Sequence, residues 1–73
     1  MKVNFHNVGS QKASFSINTH QLNSDILIRA VKRLGSVRSN AISIAYDEKK
    51  QKGTVIDELS LSSVGQFNVV VNQ

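Results

Sequence analysis

Apolar and polar residues alternate with a period of two at the start of the chain. Val3, Phe5 and Asn7 fall on one parity and Lys2, Asn4 and His6 on the other. The pattern repeats with Ala13, Phe15 and Ile17 against Ser14, Ser16 and Asn18. Successive side chains of a strand point to opposite faces, so each stretch predicts a strand with one buried face. Gly9-Ser10-Gln11-Lys12 lies between them as a hairpin connection.

The period then changes. Leu27, Ala30, Val31 and Leu34 recur at i, i+3, i+4 and i+7, and Ile28 widens the stripe. Asn23 or Ser24 is suited to cap free backbone N–H groups, and Asp25 sits at the positive end of the helix dipole. Gly35 follows the last apolar position, where a left-handed C-terminal cap is expected. The spacing predicts a helix over 24–34. Residues 36–40 form a connector, and Ile42, Ile44 and Tyr46 alternate with Ala41, Ser43 and Ala45 as a third strand. A polar turn over 47–53 leads to a brief fourth strand, Thr54-Val55-Ile56. Residues 57–65 fit either an irregular loop or a short helical turn, with Leu59, Leu61 and Val64 as their apolar positions. Phe67, Val69 and Val71 close the chain as a last strand.

This order predicts a single α+β domain over 1–73, a two-layer ββαβ(β)β arrangement with one helix packed on a four- or five-stranded mixed sheet. The expected core is Val3, Phe5, Phe15, Ile17, Leu27, Val31, Leu34, Ile42, Ile44, Phe67, Val69 and Val71. In order and length the segments Lys2–Val8, Ala13–Asn18, Ser24–Leu34, Ala41–Tyr46 and Gln66–Val71 resemble the ubiquitin-like β-grasp fold. The resemblance implies that the first and last strands lie side by side in parallel at the sheet centre. Conjugated members and sulfur carriers of that fold end in Gly-Gly, whereas this chain ends Val71-Asn72-Gln73. The resemblance therefore implies an adaptor-like role and not conjugation or sulfur transfer.

Composition narrows the chemistry. With 73 residues and no cysteine, neither a disulfide nor a thiolate metal site is available to hold the fold. No run of 18 apolar residues occurs, and the first residues lack the apolar core of a signal peptide, so a cytoplasmic protein with no membrane partner is expected. The small size and the absence of proline are reminiscent of phage or mobile-element proteins. His6 and His20 are the only histidines, no serine lies in a Gly-x-Ser-x-Gly turn, and no metal-ligand spacing is present. The glycines at 9, 35, 53 and 65 are isolated turn residues and do not form a phosphate loop. No catalytic residue, metal or cofactor is expected.

Two surfaces stand out. Nine basic against five acidic residues give a net charge of +4, and the cations cluster. Arg29, Lys32 and Arg33 lie on the polar side of the predicted helix, Arg38 follows its end, and Lys49, Lys50 and Lys52 occupy the polar turn. Such residues suit phosphates or a partner's carboxylates, but cations at a helix C-terminus and in a hairpin turn also serve the dipole and solvation. The second surface is the sheet face away from the helix, with Asn4, His6, Ser14, Ser16, Asn18, Ser43 and Asn68, flanked by Ala41, Ala45 and Val70. The reading that needs no motif is a non-catalytic protein-interaction module, adaptor or inhibitor. It would bind an unidentified protein through the sheet face, an edge strand or the basic helix face, and a homodimer is compatible with it. The alternative is a nucleic-acid-binding accessory protein using the two basic clusters; an enzyme ranks below both.

Overall fold

The structure, a computed structural model, describes residues 1–71. The Asn72-Gln73 ending lies outside them. Six elements follow in chain order: β1 (Lys2–Val8), β2 (Ala13–Asn18), α1 (Ser24–Leu34), β3 (Ile42–Asp47), β4 (Lys52–Asp57) and β5 (Ser62–Val70). The α+β expectation holds, with one helix on one face of a five-stranded sheet of order β2-β1-β5-β4-β3. No helix is long and apolar enough to cross a membrane among the described residues.

Two expectations about the sheet are corrected. Every pairing is antiparallel, so the sheet is not mixed. β1 and β5 are central neighbours, as the β-grasp resemblance implies, but they run in opposite directions, with Val3 opposite Val69 and Phe5 opposite Phe67. The reason lies in β4, which is a full strand from Lys52 to Asp57 and not a three-residue fragment. The crossover through α1 leaves β3 running in the same direction as β2. Two hairpin reversals, β3 to β4 and β4 to β5, then return β5 to that direction, opposite to β1. Residues 57–65 form neither a helical turn nor a loose loop. Asp57 ends β4 and pairs with Ser62, so only 58–61 turn the chain.

A row of rings in register crosses the helix-covered face. Phe15 is opposite Phe5, Phe5 opposite Phe67, Phe67 opposite Gly53 and Gly53 opposite Tyr46. Ring centres are 4.8 Å apart for Phe5 and Phe15 and 5.5 Å for Phe5 and Phe67, within the range for favourable aromatic pairs. Around this row the core gathers Val3, Phe5, Val8, Leu27, Ala30, Val31, Val55, Phe67 and Val69. Phe15, Ile17, Ile42 and Ile44 pack against it half-buried, because β2 and β3 are the edge strands.

The core differs from expectation at five places. Val55 is fully buried because β4 is a full strand between β5 and β3, and Ala30 joins Leu27 and Val31 on the buried side of α1. Val8 is fully buried, because Asn7 adopts φ 54° and adds one residue to β1 between the Phe5–Phe15 and Val8–Ala13 pairs. The bulge turns the next side chain inward. Leu34 is 49% exposed and Val71 is 53% exposed, both at element ends where the covering layer stops.

The helix starts as expected, with the Asn23 carboxamide oxygen accepting from the Asp25 backbone N–H at 2.8 Å. Its end differs. Gly35 has φ −96°, and Ser36, at φ 56°, takes the left-handed position. Gly35 is needed instead for close approach, since a Cβ there would overlap Val8 Cγ1.

Candidate functional site

The open sheet face is set by the same registers, one residue out of phase with the aromatic row. Ser16 is opposite Asn4, Asn4 opposite Asn68, Asn68 opposite Lys52 and Lys52 opposite Asp47, a polar row crossing all five strands. Beside it, His6 is opposite Gln66, Gln66 opposite Thr54 and Thr54 opposite Ala45. The Ser16 hydroxyl donates to Asn4 Oδ1 at 2.6 Å, and His6 Nε2 donates to Asn68 Oδ1 at 2.8 Å. These bonds hold the side chains in defined rotamers across strands, which is the usual mode of cross-strand stabilisation. They also leave the two carboxamide N–H2 groups of Asn4 and Asn68 as donors.

Of the sequence-predicted face residues, Asn4, His6 and Asn68 come together on the adjacent strands β1 and β5, and Ser16 joins them from the β2 edge. Ser14 and Asn18 lie along the β2 edge, exposed. Ser43 lies at the far edge on β3, where its hydroxyl donates to Glu58 at 2.5 Å. Ala41 precedes β3, and its carbonyl accepts from the Glu58 backbone N–H at 2.8 Å. Ala45 is exposed on the β3 edge strand and Val70 at the end of the central strand β5.

The seven predicted cations do not form one patch. Lys49 and Lys50 sit in the β3–β4 turn, which is shaped by Asp47 Oδ1 accepting from their backbone N–H groups at 3.0 and 3.3 Å. Lys52 is not in the turn but in β4, on the open face next to Asn68. Lys50 and Lys52 line the same shallow depression as His6, Thr54, Gln66 and Asn68. Arg29, Lys32 and Arg33 are exposed on the helix, over the opposite face. Strand directions put the helix C-terminus and Arg38 at the other end of the sheet from the Lys49–Lys50 turn. Lys32 Nζ donates to Asn40 Oδ1 at 3.3 Å.

Sequence reasoning missed Thr54 and Gln66 as face residues, and it placed Lys52 in a turn. The alternation Lys52, Thr54, Ile56 carried the signal, but assigning 47–53 to a turn concealed it. Among the described residues neither histidine meets a carboxylate: His6 bonds to an amide, and His20 is exposed in the bend before α1. Among the described residues no group of three or more His, Asp or Glu side chains is placed to hold a metal ion.

No known protein family, curated protein or solved structure matches this chain. The residues and their geometry therefore carry the functional argument alone. What this face offers is hydrogen bonding: amides, hydroxyls and an imidazole fixed on a rigid sheet, with lysine at one end. All four aromatic rings belong to the other face or its margin.

Proposed function

We propose that the chain is a non-catalytic protein-interaction module that binds a partner protein across its open sheet face. The observation that supports this is the polar row from Ser16 to Asp47, which no described element covers and in which Ser16, Asn4 and Asn68 are held by cross-strand bonds, Asn68 through His6. Pre-ordered donors and acceptors lower the entropy cost of association. The complementary partner surface presents hydrogen-bonding groups opposite Asn4, His6, Thr54 and Asn68, and carboxylates opposite Lys50 and Lys52.

The nucleic-acid reading draws on Lys50 and Lys52 at that face. Against it, the register turns the four rings towards the other face, with Tyr46 and Phe67 only at the margin of the depression, and the helix arginines are on the other side of the molecule.

Affinity capture from cell extract tests the reading with two sets of exposed substitutions. Ser16→Arg should abolish capture of the partner, and Arg29→Glu with Arg33→Glu should leave it intact. Capture that the helix reversals abolish, or that nuclease and moderate salt remove, would overturn it.

A further inference from the structure

The β4–β5 hairpin closes through Glu58-Leu59-Ser60-Leu61, and Leu59 and Leu61 are each 79% exposed. The turn is well ordered by its own bonds. Asp57 Oδ1 accepts from the Leu59 backbone N–H at 3.0 Å, and the Ser60 and Ser62 hydroxyls are 2.7 Å apart. Both leucines are thus held out from the body and do not fold back onto the core.

Turn geometry does not call for leucine here. Three hairpins end on a left-handed residue just before the next strand: Lys12 at φ 53°, Gln51 at φ 53° and Leu61 at φ 56°. The first two positions carry polar side chains suited to solvent. The third carries an isobutyl group in a region that side chains other than Gly, Asn and Asp enter at a cost. Strain and exposed apolar area coincide at one residue.

Cations surround this end of the molecule. Lys12 and Arg38 line a depression together with Asp57 and Val64 at the hairpin base. Lys32 and Arg33 lie in the last turn of α1, with Leu34 half-exposed after them. Two carboxylates lie at the same end, Asp57 and Glu58, and they accept hydrogen bonds from Ser39 and Ser43.

Two leucines on a four-residue tip offer far less than the roughly 800 Å² per partner of a stable protein interface. The headgroup boundary of a bilayer accepts a small apolar insertion and adds to it the attraction of anionic lipid for nearby cations. We propose that this end docks on an anionic bilayer, with Leu59 and Leu61 inserted between headgroups and Lys12, Lys32, Arg33 and Arg38 facing the lipid charges. The sequence expectation of no membrane partner rested on the lack of a spanning segment, and peripheral docking needs none. The inference is independent of the open-face reading.

Co-sedimentation of the full chain with vesicles tests it, using phosphatidylcholine alone and phosphatidylcholine with phosphatidylglycerol. The chain should bind only the anionic vesicles and be released by about 0.5 M salt. Leu59→Ser with Leu61→Asn should weaken binding about tenfold or more, because the inserted apolar area is lost. The same variant should unfold no earlier than the parent, since Asn tolerates the left-handed backbone. Arg38→Glu should weaken binding roughly fivefold or more. The chain contains no tryptophan, so Leu59→Trp provides a single reporter whose emission should shift to the blue on anionic vesicles. Failure to bind anionic vesicles, binding unchanged by the leucine substitutions, or an unshifted Trp emission would each overturn the proposal.

Discussion

The ring of Tyr46 lies nearly parallel to that of Phe67, 5.9 Å away and inclined by 11°, across the position of Gly53. The strand between them has no side chain at that point, and the Phe67 ring fills the space. Sheet register, the choice of glycine and the aromatic row are therefore one feature.

Gly53→Ala should destabilise the protein by about 1–3 kcal/mol, because a Cβ would overlap Cζ and Cε1 of the buried Phe67 ring and the Ala45 carbonyl oxygen. Urea unfolding of the two proteins checks this. Equal midpoints would contradict the packing described.

The end of α1 gives a paired prediction. Ser36→Gly should stabilise the protein by roughly 1 kcal/mol, since Ser36 is the residue at positive φ. Gly35→Ala should destabilise it by about 1–3 kcal/mol through its clash with Val8 Cγ1, although its φ of −96° is ordinary. Thermal unfolding of the two variants should move in opposite directions.

At the other end of the helix, Asn23→Ala should cost about 1 kcal/mol by removing the acceptor for the Asp25 N–H. Asn23→Asp should retain most of that stability. Denaturant midpoints of the three proteins give the comparison.

Much of this architecture is legible from local chemistry. The apolar spacing Leu27, Ala30, Val31 and the Asn23 cap locate the helix, and simple alternation locates β1, β2 and β3. What alternation cannot reveal is an added residue. At Asn7 the left-handed backbone moves Val8 into the core, and a second irregularity between Val55 and Ile56 shifts the pairing of β4 with β5. The span 57–65 is obscure for another reason. Leu59 and Leu61 look like buried positions, and buried leucines would not suit a tight polar turn. Strand direction is a non-local property, fixed only once Asp57–Ser62 is known to close a hairpin.

The candidate site divides in the same way. Asn4, His6, Ser16 and Asn68 follow from parity, which assigns faces without knowing strand order. That Lys52 joins them, while Arg29 and Arg33 do not, depends on how far β4 extends and which face α1 covers.

Ser16→Arg should cost no more than about 1 kcal/mol, the worth of the exposed Ser16–Asn4 bond it removes, because its site is outside the core. Urea unfolding would show this. That small cost makes it a clean probe of binding.

The most direct test of the open-face account is chemical-shift mapping of the isotope-labelled chain on addition of the protein it captures. The account predicts shifts and line broadening centred on Asn4, His6, Thr54, Gln66 and Asn68, with Arg29, Lys32 and Arg33 unmoved. Perturbations confined to the helix residues, with the polar row unchanged, would contradict it.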